Sequence, residues 1–105
     1  PAIVQAQMMG GIMMGLSAAM KEKIEFANGG VTSENFGDYE LLRMSEAPEV
    51  DVHIVKSGDK LGGIGEPGVP PLAPAVANAV FTATGARLRR LPMKPETVLA
   101  AMKTA

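Results

Sequence analysis

Cysteine is absent from the 105 residues, and that one absence removes disulfides, thiolate-ligated zinc, iron–sulfur ligation and thiol catalysis together. Any redox centre has to come from elsewhere. Tryptophan is also absent, aromatic residues amount to 4%, and the single histidine is His53. No second histidine or carboxylate stands at ligand spacing from it, so His53 reads as an ordinary strand residue and no metal site is expected from the chain's own side chains. Basic residues interleaved with aromatics are missing as well. Arg87, Arg89 and Arg90 form a short cluster with no aromatic between them, which favours a solvated or interfacial helix end over nucleic-acid binding. The apolar run over residues 8–20 is too short and too rich in glycine for a membrane span, and no basic segment precedes it.

What is present is a hydrophobic fraction of 47%, ample for the core of one small domain over residues 1–105. Eight methionines and twelve glycines make its packing surfaces flexible thioethers and close backbone contacts, of the kind that meet other surfaces. Net charge is −1, yet residues 21–51 carry eight acids against three bases. That acidic stretch is expected to face solvent. The chain begins at Pro1 rather than Met, which reads as processing, trimming or excision from something longer.

In chain order, Val4 to Ile24 reads as a helix, apolar nearly all round at its start and charged at Lys21-Glu22-Lys23. Gly10, Gly11 and Gly15 each cost about 1 kcal/mol relative to alanine in a helix interior, so they point either to tight packing against another helix or to a ligand passing close by. Gln7, an amide at the apolar end, needs a hydrogen-bond partner if buried. Ile24-Glu25-Phe26, an Asn28-Gly29 turn and a short return form a hairpin signal. Leu41 to Met44 reads as a brief extended piece. Val50 to Val55 alternates as a strand, with Val50, Val52 and Ile54 on one face. Leu72 to Thr84 reads as a helix buried on every side and stopped by Gly85, and Pro95 with Glu96 opens a terminal amphipathic helix. With no repeat and no βαβ pattern, the fold class is α+β: a buried N-terminal helix, short antiparallel strands, and a Gly/Pro loop leading into a second buried helix.

That loop, Gly62 to Pro71, holds four glycines and three prolines around one carboxylate, Glu66. Proline fixes φ and glycine gives room, so the loop is stiff enough to hold a group in place. A carboxylate just before a buried helix would be desolvated, and desolvation raises its pKa towards the range of a working base. A solvated turn residue or an acid favoured by the helix dipole is the plainer reading of the same residue.

Four stretches carry a resemblance: Gln7-Met8-Met9-Gly10-Gly11 through Ala19, Asn35-Phe36-Gly37-Asp38-Tyr39, Gly63-Ile64-Gly65-Glu66-Pro67-Gly68-Val69-Pro70-Pro71 through Phe81, and Ala83 through Pro92. Together they resemble the C-terminal end of the molybdopterin-binding subunit of molybdenum hydroxylases, of the isoquinoline 1-oxidoreductase beta-subunit type related to xanthine dehydrogenase and aldehyde oxidoreductase. The resemblance implies that Glu66 is the active-site base, taking the proton from a molybdenum-bound hydroxide as that oxygen attacks an electron-poor carbon. It implies cofactor contacts at Gln7, Gly10, Gly11 and Gly65, and a molybdopterin of the cytosine dinucleotide form. It further implies iron–sulfur clusters on another subunit, the remainder of the large subunit as partner, and a heteroaromatic or aldehyde substrate. Met9 stands where the family usually has an acid, a departure at the cofactor edge. Bacterial cytoplasm and periplasm both remain open as compartments.

On this reading the chain is a catalytic segment, inactive alone. A second reading makes it a non-catalytic module that self-associates through its Met/Gly surface. A third would use the Pro1 amine as a base, as small tautomerases do, but the repeated βαβ order such a fold needs is missing.

Overall fold

The computed structural model describes all residues from Pro1 to Ala105. Three helices and one two-stranded antiparallel sheet make it α+β. Helix α1 (Ala2–Met20) has neither an acid in its first turn nor a side-chain N-cap, so its stability comes from helix-favouring Ala, Met and Leu and from tertiary contact. It stops at Lys21, short of the expected Ile24, because the Lys21 and Glu22 N–H groups both close back on the Ser17 carbonyl at 2.9 and 3.2 Å. At 19 residues α1 has the length and apolar composition of a membrane-crossing helix, which corrects the expectation of too short a run. Its contacts to the rest of the chain nevertheless make it the central element here.

The hairpin forms as read. Strands β1 (Phe26–Ala27) and β2 (Gly30–Val31) pair Phe26 with Val31 and Ala27 with Gly30. Asn28 and Gly29, at φ 51° and 80°, supply the two left-handed positions that a tight two-residue turn needs. Leu41 to Met44 is not a strand: a short 3₁₀ turn occupies Met44–Glu46. Val50 to Val55 pairs with nothing in the chain, so its strand pattern finds no ladder.

Helix α2 (Leu72–Thr84) ends where glycine allows, at Gly85 with φ 77°, whose N–H donates to the Phe81 carbonyl at 2.8 Å. Thr84 secures that end, its hydroxyl donating to the Val80 carbonyl and accepting from the Ala86 N–H. Helix α3 (Pro95–Lys103) has Pro at its start, Glu96 in its first turn and Lys103 in its last, each on the side its dipole favours.

Ala19, Leu88 and Met93 form the core, ringed by Met20, Val76, Val80, Val98 and other half-buried side chains. The Met93 N–H donates to the Ala19 carbonyl at 2.7 Å and ties the chain before α3 to the end of α1. This core is small. Nine of 105 residues are buried, and the radius of gyration is 16.5 Å. A compact domain of this length would have about 13 Å. Burial of the two apolar helices is accordingly one-sided: α1 buries Gly11, Gly15, Leu16, Ser17 and Ala19, while α2 buries no residue fully.

Met93 is 1% exposed, so Met93→Ala should cost about 2–5 kcal/mol through lost contacts and a cavity. Met93→Leu, which conserves volume, should cost under about 1.5 kcal/mol. Thermal unfolding of the two variants of the subunit checks the difference.

Candidate active-site loop

The loop reaches Glu66 through residues with open surroundings and leaves it through two consecutive turns. The Val69 N–H donates to the Glu66 carbonyl at 2.9 Å and the Leu72 N–H to the Val69 carbonyl at 3.2 Å, which delivers the chain into α2. Neither Gly62, Gly63, Gly65 nor Gly68 has a positive φ. Their glycine identity is therefore about space rather than the unusual backbone conformations the sequence suggests.

That space is used at Gly68. A Cβ there would sit 3.1 Å from the Met8 carbonyl oxygen, 3.2 Å from the Ile12 nitrogen and 3.4 Å from the Gly11 carbonyl carbon. A Cβ on Gly11 would meet the Gly68 Cα at 3.4 Å, and one on Gly15 the Val69 carbonyl oxygen at 3.1 Å and the Leu72 side chain at 3.2 Å. The loop thus rests backbone to backbone on α1, and the i, i+4 spacing of Gly11 and Gly15 is a flat track for it. Of the two readings of these glycines, close packing accounts for Gly11 and Gly15. Gly10 and Gly65 differ, for a Cβ at either would meet nothing within 4 Å.

Contact with Met8, Gly11 and Ile12 brings the loop to the turn of α1 that follows Gln7. Gln7, one helical turn before Gly11, continues the same stripe. Gln7, Gly10, Gly65 and Glu66 are all exposed, whereas Gly11 and Gly68 are buried between them. Neither the Gln7 amide nor the Glu66 carboxylate has a hydrogen bond or ion pair within the chain. The desolvation expected of Glu66 is therefore not supplied by these residues. A free carboxylate on an anchored loop, a free amide and open glycine surfaces are suited to proton transfer beside a flat, hydrogen-bonding ligand.

Some of the other charged groups are paired within the chain. Lys21 pairs with Glu46, whose carboxylate also accepts from the Arg43 N–H at 2.9 Å. The Lys21 hydrogen bond first, then the Arg43 N–H, hold the Glu46 carboxyl below its ordinary range. Partial burial first, then the neighbouring Glu22 carboxylate, push the Tyr39 phenol up. Arg87 lies over the Phe81 ring at 3.8 Å and donates to the Asn78 side chain at 2.7 Å, which makes it part of the α2 surface. His53 lies with Asp51, Val52 and Ile54 on a cleft of about 320 Å³ beside Val4, Met8, Ile12 and Ile64, and no cluster of metal-ligating side chains forms around it. A larger apolar cleft of about 530 Å³ runs between Met13, Met14 and residues 41–47. Ser17 is the residue that sequence reasoning missed: its buried hydroxyl accepts the Leu42 N–H at 2.9 Å and pins the acidic segment to α1. At about 100° per residue Ser17 lies about 160° round α1 from Gly15, so no spacing signal pointed to it.

A family profile described as molybdopterin cofactor-binding domain matches residues 1–48. The beta subunit of isoquinoline 1-oxidoreductase from Brevundimonas diminuta is 45% identical over 98% of this chain and 13% of its own length. A membrane-bound aldehyde dehydrogenase from Gluconacetobacter polyoxogenes, named for pyrroloquinoline quinone, is 40% identical over 90% of this chain and 12% of its own. In three dimensions, the crystal structure of quinoline 2-oxidoreductase from Pseudomonas putida 86 has the same fold, with a TM-score of 0.81 at 21% identity over 98% of this chain and 14% of that one. The chain thus spans about one seventh or less of the proteins it matches.

Gly68→Ala should destabilise the subunit by about 1–3 kcal/mol, because the added methyl meets helix backbone that cannot turn aside. Gly62→Ala, with nothing within 4 Å, should be close to neutral. Unfolding midpoints of the two variants test the contact. The Glu46 carboxyl is depressed in the folded state, so its contribution is present above the ordinary glutamate pKa and lost as pH falls through the lower folded value. A Glu46→Gln variant should therefore be less stable than the parent at neutral pH and converge with it in acid, as read from unfolding across pH.

Proposed function

Because the chain belongs to the molybdenum hydroxylase large-subunit family, we propose that it is the segment of such a subunit that supplies the catalytic base, Glu66, and one wall of the molybdopterin pocket. The observation that supports this reading is the docking of the Glu66 loop on α1 through Gly68 and Gly11, two residues from Glu66, whose side chain is left unpaired.

The residues present fit the cofactor as a wall. Gln7 offers an amide that both donates and accepts, and Gly10 and Gly65 leave backbone open to a close-lying group. Gly11 contributes through the loop it holds rather than through open surface of its own. When bound, molybdopterin with its molybdenum, in the cytosine dinucleotide form we propose, supplies the two-electron oxidation of the substrate carbon. Glu66 does the proton work: a carboxylate oxygen takes the proton from water-derived oxygen as that oxygen attacks an electron-poor carbon of an N-heteroaromatic or aldehyde. The rest of the large subunit encloses Glu66 and excludes water, and an iron–sulfur subunit takes the electrons onward. On its own the segment is inactive.

A second reading, self-association of a non-catalytic module, draws support from exposed apolar side chains such as Met14 at 69% and Met44 at 94%. Native mass with metal analysis on one sample separates the two. Travel with a much larger polypeptide and about one molybdenum per complex supports the catalytic segment, a stoichiometry that also distinguishes it from a quinone enzyme. Copies of this chain alone, without metal, support the module.

In the assembled enzyme, Glu66→Gln should lower turnover by about 10²–10⁴-fold, the usual contribution of a positioned base, with molybdenum content unchanged. A variant of near-normal rate overturns the assignment.

A further inference from the structure

Residues 48–65 form no backbone–backbone hydrogen bond anywhere in the chain. The one local bond is from the Asp59 N–H to the Ser57 hydroxyl at 3.2 Å. Residues 47–64 also run without helix, turn or sharp bend. Within that stretch Val50-Asp51-Val52-His53-Ile54-Val55 has the residues of a strand. Four of the six are β-branched, none is proline, and the sides alternate.

The stretch already borders α1. Val50 and Val52 are half-buried, and Val52 and Ile54 face Val4, Met8 and Ile12 of α1 and Ile64 across the cleft beside the Glu66 loop. Val55 lies outward at 85% exposure, while the exposed Asp51 and His53 border the same cleft as Val52 and Ile54. The stretch is thus placed beside α1, while its backbone donors and acceptors on both edges are unpaired. Native proteins blunt exposed edges with lysine, proline or a bulge, and Asp51 is the one charge here. Unpaired backbone groups buried in an assembled protein would each carry the penalty of a lost hydrogen bond. The hairpin does not pair with it, its two-residue strands bonding only to each other.

We propose that residues 50–55 are a strand of a β-sheet laid over the first half of α1, whose neighbouring strand comes from the part of the same large subunit outside these 105 residues. That occupant follows from length: the chain spans 13% of the isoquinoline 1-oxidoreductase beta subunit, so most of such a polypeptide is available to pair with it. Strand addition would give the segment its ladder and bury Val52 and Ile54 against α1. It would also brace the chain entering the Glu66 loop at Ile64. The proposal depends on the chain being a segment of a larger subunit and not on Glu66 being the base.

Hydrogen–deuterium exchange with mass spectrometry on the complete purified enzyme tests it. Peptides covering residues 50–55 should exchange more than about 100-fold slower than an unstructured peptide, in the range of strand amides opening only by sub-global unfolding. Exchange at the unstructured rate, with α1 peptides protected in the same sample, overturns it. Protection that disappears on dilution to a single copy of the large subunit overturns it too, and assigns the edge to a second copy. A Glu66→Gln enzyme with normal turnover would remove the proposed base yet leave this protection unchanged, so the two readings fail separately.

Discussion

Everything the candidate site does depends on two backbones touching. Where Gly68 lies on the Met8–Ile12 turn of α1, a single added carbon would sit within 3.1–3.4 Å of helix backbone atoms. Side-chain packing could hold a loop at such a place, but it would hold it farther off and with more freedom. Contact at this range leaves few arrangements, and the turn from Glu66 to Val69 carries that restriction to the Glu66 backbone two residues away. Gly15 extends the contact to Val69 and Leu72, so the start of α2 is set by the same track.

Much of this was legible from residue types. Gly85 marks the end of α2 because a left-handed stop favours glycine, and Asn28-Gly29 marks the hairpin for the same steric reason. Pro95 and Glu96 mark the last helix through chemistry local to one turn. Glu66 drew notice as a lone acid among glycines and prolines, yet the burial expected of it is absent within these residues. Tertiary choices were not legible. The sequence suggested unusual φ angles for the loop glycines where the structure uses space, and it could not separate Gly11 and Gly15, which pack, from Gly10, which does not. Ser17 looked like one small residue among many until Leu42 arrived at its hydroxyl.

The Val50–Val55 strand and the buried helices diverged for one shared reason. Alternation and apolar composition state what a segment buries in its final setting, whereas these 105 residues provide only part of that setting. Half-buried helices, a carboxylate open to solvent and a strand without a ladder are consistent with one another. Each is a surface complete on one side.

The contact between Gly11 and Gly68 also closes a long excursion of chain. Closure entropy grows only with the logarithm of loop length, about 0.6 kcal/mol for each doubling. Lengthening the stretch between Met20 and Gly62 would thus weaken the crossing less than one methyl group placed at Gly68. By the closure term alone, the crossing tolerates a longer excursion wherever residues 50–55 keep their place beside α1. An added residue at the Asn28-Gly29 turn would then reshape the outer surface while the Gly11–Gly68 contact keeps its spacing.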